Sequence, residues 1–286
     1  MNILVTGSNG QLGSEIRKLA PNFGNTFLFT DVAELDITDI EAVRNCVVDN
    51  NIDVIINCAA YTNVDRAEDD YDNALLINGT AVSNLATVCS EHNAKLIHIS
   101  TDYVFQGNGC VPCTEEMDVN PLGVYGKTKL YGEQAVIQSG CYYMIFRTSW
   151  LYSEYGNNFV KTIRRLSGER DSLNVVFDQV GTPTYAADLA KLICKVVEDA
   201  DFCSEKSGIY HFANEGVCSW YDFALEIVEM SGNQCAVLPC HSDEFPSKVK
   251  RPHYSVLDKS KVKKVFNVVI PHWKEALKRC ILRLEG

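Results

Sequence analysis

The segment Thr6-Gly7-Ser8-Asn9-Gly10-Gln11-Leu12-Gly13 constrains this chain more than any other feature, because it lies directly behind the apolar run Ile3-Leu4-Val5 and ahead of an amphipathic stretch. A Gly-x-x-Gly-x-x-Gly turn between a strand and a helix reads as a dinucleotide-binding turn. Gly7 permits the tight bend, Gly10 lets the backbone approach a pyrophosphate, and Gly13 allows the helix to pack closely on the strand. The helix start adds unpaired N–H groups and a partial positive charge. Asp31 closes the second apolar run, 18 residues after Gly13. In such a fold that place holds the carboxylate for the adenine-side ribose hydroxyls, with Asp36 as competitor. No arginine follows Asp31 to receive a 2′-phosphate, so the expected cofactor is NADPH or NADH with a lean towards NADH.

The rest of the chain continues the alternation. Strands are expected at Asn2–Thr6, Thr26–Thr30, Val54–Asn57, Lys95–Ser100 and Tyr142–Arg147, with helices near Gln11–Ala20, Ile40–Asp49, Asn73–His92 and Val124–Gln138. The strands are nearly continuous in apolar residues, as in parallel strands covered on both faces. This predicts an α/β fold, a Rossmann-type doubly wound parallel sheet. The rhythm loosens after about Trp150. Strand-like Leu173–Phe177 and Gly208–Phe212 flank a helix at Ala186–Glu198, and helices follow near Trp220–Met230 and Pro271–Leu284, separated by a polar loop around His241–Lys250. The expected organisation is a dinucleotide-binding domain over 1–150 and a smaller, mainly substrate-binding region over 151–286, whose chain returns to the first domain at least once.

The 26 basic and 37 acidic residues leave a net charge of −11, which disfavours a nucleic-acid partner. No apolar run approaches the roughly 20 residues that cross a bilayer, and the start of the chain lacks the pattern of a signal peptide, so the expected compartment is the cytoplasm. Of the twelve cysteines, Cys46, Cys58, Cys89, Cys194 and Cys280 fall within helix or strand patterns and read as small core residues. Cys110 and Cys113 form a Cys-x-x-Cys in a polar loop, with no second pair to complete a zinc site.

Tyr125-Gly-Lys-Thr-Lys129 puts a phenol and an ammonium on one helix face. An ordinary tyrosine titrates near pH 10, and an adjacent ammonium favours the phenolate, so the pair suits proton exchange at neutral pH. Ser100 and Thr101 follow the strand Leu96–Ile99, at a carboxyl end where ligands meet an open α/β sheet. A hydroxyl there can hydrogen-bond a substrate carbonyl while the tyrosine donates the proton.

Together these segments resemble the extended short-chain dehydrogenase/reductases, and within that family the reductases of dTDP-linked 4-keto sugars. The resemblance runs from Met1 to near the C-terminus. Besides the glycine turn it is carried by Asn57-Cys58-Ala59-Ala60-Tyr61-Thr62-x-Val64-Asp65-x-Ala67-Glu68, Ser100-Thr101-Asp102-Tyr103-Val104-Phe105 and Tyr125-Gly126-Lys127-Thr128-Lys129. Arg147-Thr148-Ser149-Trp150, Gly156-Asn157-Asn158-Phe159, Asp178-Gln179 and Arg251-Pro252-His253 complete it. It implies that Gly10, Gln11 and Leu12 sit on the pyrophosphate and Asp31 on the ribose, that Ala59, Ala60 and Tyr61 line the cofactor at the end of the third strand, and that Gly7, Gly13, Asp36 and Ile37 belong to the same cofactor site. Tyr125 would be the proton donor, and Lys129 would bind the nicotinamide ribose and lower the tyrosine pKa. Thr101, Asp102, Tyr103, Trp150, Asn158 and Arg251 would contact a dTDP-sugar, whose C4 takes the hydride.

Plainer readings stand beside several of these. Trp150 could be a core aromatic at the domain seam, Asn157 and Asn158 could cap the helix that follows, and His253 could be a loop residue. Asp65 and Glu68 could cap or charge-match a helix start, while Arg251 offers a fork for a diphosphate. The resemblance admits a homodimer and implies neither nucleic acid nor membrane. Some members bind a metal through glutamates at a subunit contact, but no ligand cluster here supports one. The alternatives are another sugar-nucleotide reductase or epimerase, and a non-catalytic regulatory subunit. The intact Thr101, Tyr125 and Lys129 set argues against the last.

Overall fold

The computed structural model describes residues 1–198, 204–245 and 247–285. Pro246, in the polar loop around residue 245, therefore lies outside them. Among the described residues six strands form one sheet: β1 (Asn2–Thr6), β2 (Thr26–Phe29), β3 (Val54–Asn57), β4 (Lys95–Thr101), β5 (Tyr142–Thr148) and β6 (Gly208–His211). All neighbours run parallel, in the order β6-β5-β4-β3-β1-β2. The helices that matter below are α1 (Gln11–Leu19), α2 (Ile40–Asp49), α3 (Ala81–His92), α4 (Val124–Gln138), α5 (Phe159–Glu169), α6 (Ala186–Glu198), α7 (Trp220–Met230), α8 (Ser260–Phe266) and α9 (Trp273–Glu285).

Strand side chains alternate between the two faces, and this sorts the apolar runs into two cores. Ile3, Val5, Val54, Ile56, Ile97, Met144 and Phe146 pack with α1, α6 and α8. Their neighbours Leu4, Ile55, Leu96 and Ile145 pack on the opposite face with α2, α3 and α4. The chain leaves β1 for β2 on one side and then crosses to β3 on the other. That reversal opens a crevice above the carboxyl ends of β1 and β3, the place where open α/β sheets bind ligands.

The expected helix over Asn73–His92 is interrupted. It begins as Tyr71–Leu75, widens into a π turn at Leu76–Thr80, and continues as α3. The widening follows from two residues packed against α4. A Cβ on Gly79 would stand 2.7 Å from the Tyr131 ring, so only glycine fits. The buried Asn78 side chain turns inward to the backbone of Tyr61 and to Thr128. A π turn at such a place commonly serves a site.

A third core gathers Tyr152, Val160, Ile163, Phe223, Ile227, Trp273, Leu277 and Ile281 from α5, α7, α9 and nearby segments. The strand expected near Leu173–Phe177 forms as Ser172–Val176, yet it pairs in parallel with Ala236–Cys240 instead of joining the large sheet. Ala236–Cys240 escaped the sequence reading because it carries Pro239 and buries only Val237 and Cys240. Helix α8 escaped too, a seven-residue lysine-rich segment that buries only Val262 and Phe266. Through α6, β6 and α8 the chain re-enters the first two layers before ending in α9.

The eleven cysteines among the described residues are all free thiols. Cys113 pairs by its backbone with Val256 and Asp258 and buries its side chain beside Val104, Phe105 and Leu257. Cys110 of the same motif is exposed. No helix among the described residues is long and apolar enough to cross a membrane.

Candidate active site

Gly7 has φ of +61°, and a Cβ there would meet Ala59 N at 2.5 Å, so the turn after β1 and the loop after β3 touch at the crevice. A Cβ on Gly13 would meet Ser8 Cα at 2.5 Å, so α1 starts tight against the turn. Gly10 is the N-cap of α1, with no side-chain cap and no acidic residue in the first turn. The first N–H groups of α1 are thus left for an anion. Asp31 accepts from Asn9 N (3.0 Å) and Val32 N (2.9 Å), which fixes its carboxylate beside the turn. The competitor Asp36 is spent locally, accepting from Thr38 N (2.9 Å) and Thr38 Oγ1 (2.7 Å). Ile37 packs into the core beneath α2. The fold also supplies a guanidinium that sequence spacing hid. Arg17 of α1 lies over the Phe29 ring and donates to Ser8 Oγ (2.6 Å), at the same end of the crevice.

A cavity of about 860 Å³ brings together Gly10, Gln11, Leu12, Ala60, Thr101, Asp102, Tyr103, Tyr125, Lys129, Trp150, Asn158 and Arg251. Of the remaining expected residues, Gly7 and Ala59 lie in the adjoining turns, Gly13 in the first turn of α1 and Asp31 beside them, outside the wall. Tyr61 is also outside it, its phenol donating to Asp70 (3.0 Å) and its backbone paired with Asn78.

Helix α4 presents the tyrosine and lysine. Its first N–H, from Val124, donates to Glu68 Oε1 at 2.7 Å, so Glu68 serves the helix start. A Cβ on Gly126 would stand 2.3 Å from Tyr103 O, so this glycine lets α4 abut the turn after β4. That contact sets the Tyr125 ring edge-on to Tyr103, centroids 5.5 Å apart. Lys129 is buried and donates from Nζ to Ile99 O at 2.6 Å.

Burial pushes the Tyr125 phenol up to about 12, with the Thr101 hydroxyl working the other way and the Asp102 charge adding to the rise. The net shift is a rise, opposite in direction to the lowering expected from the ammonium, because burial of the phenol dominates and the ammonium is turned into the β4 backbone. Burial pulls Lys129 down to about 8, and the Glu133 carboxylate opposes that fall. Asp102 is buried, one oxygen without a hydrogen-bond partner among the described residues, and burial raises it to about 7.

On the far wall Trp150 sits in the left-handed region, φ +49°, and stacks on Trp220 with ring centroids 3.6 Å apart. Gly181 lies underneath, where a Cβ would meet the Trp150 ring at 2.8 Å. Asn158 caps α5 by accepting from Lys161 N (3.1 Å), so the capping reading holds. Its amide also donates to Gln11 Oε1 (3.0 Å), tying α5 to the glycine turn. Arg251 pairs with Asp65 at 3.0 Å, and its buried Nε has no hydrogen-bond partner among the described residues. His253 lies outside this cavity, its ring at Asp178 O.

Sequence reasoning missed Trp220, Arg17 and His98. Trp220 opens a helix 70 residues beyond Trp150, and only the fold brings the rings together. A histidine inside the apolar run Leu96–Ile99 was the one available signal for His98.

The family model described as RmlD substrate binding domain matches residues 1–285. A spore coat polysaccharide biosynthesis protein, SpsK, of Bacillus subtilis (strain 168) is 38% identical, over 96% of this chain and 95% of its own. The dTDP-4-dehydrorhamnose reductase of Aggregatibacter actinomycetemcomitans is 40% identical, over 96% of this chain and 97% of its own. Among solved structures, a dTDP-4-dehydrorhamnose reductase from Clostridium acetobutylicum ATCC 824 superimposes with a TM-score of 0.95 at 45% identity, covering 100% of both chains. The dTDP-4-dehydrorhamnose reductase of Bacillus anthracis str. Ames, in complex with NADP, superimposes with a TM-score of 0.93 at 40% identity over 99% of each chain.

Proposed function

The chain belongs to the RmlD substrate binding domain family, and on that footing we propose that it reduces the C4 keto group of dTDP-4-dehydro-β-L-rhamnose to give dTDP-L-rhamnose, a building block for cell-surface polysaccharide. The observation that carries this reading is the single cavity in which Thr101, Tyr125 and Lys129 face the free N-terminus of α1.

The residues fit a nicotinamide dinucleotide, since Gly7 and Gly13 let the turn close against the β3 loop and α1 while the first N–H groups of α1 stay uncapped and free of acidic neighbours. Gln11 and Leu12 would present backbone N–H groups to the pyrophosphate, while the Gly10 N–H closes the turn on Gly7 O and its missing side chain would let the backbone approach. Asp31 would serve the ribose hydroxyls, and the Arg17 guanidinium at the same end of the crevice would meet a 2′-phosphate, which fits NADPH as well as NADH. A bound reduced nicotinamide supplies the hydride. Tyr125, which burial keeps protonated at neutral pH, donates its proton to the oxygen that develops charge at C4. The Thr101 hydroxyl holds that oxygen against the phenol. Lys129, kept cationic below about pH 8, binds the nicotinamide ribose.

Trp150 packs against the sugar. A second cavity of about 990 Å³ opens past Trp220 and Arg251, lined by Phe159, Val176, Gln179 and Phe245. The nucleotide extends into it, with the Arg251 guanidinium at the diphosphate between the two spaces. The test is the loss of reduced-nicotinamide absorbance when the purified chain meets NADPH or NADH and freshly generated dTDP-4-dehydro-β-L-rhamnose. Rapid oxidation is expected. A chain that binds the cofactor and oxidises none of it would exclude this substrate.

A further inference from the structure

Behind Lys129 a line of buried polar side chains runs back to the cofactor turn. Thr6 Oγ1 (2.8 Å) and Ala59 N (3.1 Å) both approach Asn57 Oδ1. Asn57 Nδ2 lies 3.1 Å from His98 Nδ1, and His98 Nε2 lies 3.5 Å from Lys129 Nζ. Asn57, His98 and Lys129 are each at most 2% exposed.

The direction of this line is settled by its first member. A backbone N–H can only donate, so the Asn57 atom facing Ala59 is the oxygen and the atom facing His98 is the NH₂ group. That amide nitrogen has only protons to offer, so His98 Nδ1 must accept. A neutral imidazole carries one proton, which is then on Nε2. We propose that His98 is a positioning residue for the reduction: Asn57 fixes its ring as the Nε2–H tautomer, so that an N–H and not a lone pair faces Lys129.

Burial, and after it the Lys129 charge, holds the ring well below the usual histidine range, consistent with a neutral imidazole. A lone pair at Nε2 would draw an ammonium proton into the strand layer and hold it there. An N–H cannot, so the ammonium keeps Ile99 O as its anchor and turns its other protons to the cavity. The same N–H can donate to the neutral amine, which makes proton loss from Lys129 easier. Asp102 and Cys58 line the same cavity from the segments after β4 and β3, and two further titratable groups lie on the lysine's own helix. Tyr125 is one turn before it. Glu133 is one turn after, itself paired with Arg147 of β5 at 2.7 Å and accepting from Ser100. The consequence for turnover rests on the role proposed above for Lys129, but the tautomer does not.

The test is nuclear magnetic resonance of the full chain, which needs no turnover. Ring ¹⁵N–¹H correlations, with His98 assigned by its loss in His98→Gln, report the tautomer, and the Lys129 side-chain resonance reports its titration. In the unmodified chain Nε2 is expected to be protonated and Nδ1 bare from mildly acid to mildly alkaline pH. In Asn57→Asp a carboxylate replaces the amide donor and accepts from Nδ1–H, which leaves the Nε2 lone pair towards Lys129. Its titration midpoint should rise, by roughly tenfold in proton affinity, the size of one net hydrogen bond. A protonated Nδ1 in the unmodified chain overturns the proposal, and so does a flipped tautomer that leaves Lys129 unmoved. A chain with the expected tautomer and no activity would instead count against the proposed reaction.

Discussion

Lys129 Nζ donates to the carbonyl oxygen of Ile99 at 2.6 Å, and no hydrogen bond joins it to Tyr125 one helical turn earlier. Burial therefore governs the two ionisations separately, raising the phenol to about 12 and lowering the lysine to about 8. Both groups are needed in their protonated forms. Reduction should fall as pH rises through about 8, when Lys129 loses its charge, above the range near 7 in which Asp102 titrates. In a pH profile of kcat/KM, Lys129→Met should lower the plateau and remove the fall. A variant that keeps the same alkaline limb would assign that limb to another group.

Tyr125→Phe removes the proton donor and little else, because the ring keeps its edge contact with Tyr103. Turnover should drop by at least the ~10²–10⁴-fold typical of general acid catalysis. Cofactor affinity, measured by fluorescence titration, should stay close to that of the unmodified chain. Unchanged turnover would sink the proposed chemistry.

How far the sequence could be read depended on whether the signal was local. The glycine turn, the strand-end hydroxyls and the Tyr125–Lys129 spacing are each written within eight residues, and all three reach one cavity. The sheet was legible because its strands alternate between two buried faces and so appear as unbroken apolar runs. What escaped depends on distant segments meeting. Trp220 matters only because it stacks on Trp150, and Arg17 only because α1 carries it back to Ser8. The ionisation of Tyr125 escaped for a related reason. Spacing shows that a lysine is near, but not that its ammonium points into the strand layer.

The proposed cofactor site sets Asp31 and Arg17 at the same end of the crevice. Asp31 is fixed beside the turn by Asn9 N, and Arg17 reaches Ser8 at the same end. Asp31→Ala should weaken NADH more than NADPH. Arg17→Ala should do the reverse, with a loss for NADPH of roughly 10- to 100-fold if a charge-assisted bond of ~1.5–3 kcal/mol to the 2′-phosphate disappears. Dissociation constants for both cofactors, measured side by side, check this. Equal losses for the two would remove Arg17 from the argument.

Trp220 supports Trp150 from behind and stands between the two cavities. Trp220→Ala should raise KM for the sugar nucleotide and leave cofactor affinity unchanged. The lost stacking, ~0.5–1.5 kcal/mol, corresponds to roughly 2- to 10-fold. Two indoles at 3.6 Å should also give an exciton couplet in circular dichroism, and it should vanish in the variant. A couplet lost without any change in KM would confine the stack to a packing role.

Arg147 and Glu133 form a buried pair, 3% and 1% exposed, joined at 2.9 and 2.7 Å. Arg147→Met leaves an uncompensated carboxylate between β4, β5 and α4, and such a change costs ~3–5 kcal/mol. Replacing both partners by apolar residues should cost far less, because no charge is then stranded. Urea denaturation of the single and double variants separates these outcomes. The pair also bears on the site, since Glu133 is the charge that keeps Lys129 from falling further. Glu133→Gln should therefore move the alkaline limb of the pH profile downward. A limb that stays in place while stability falls would show that the pair braces the sheet without tuning the lysine.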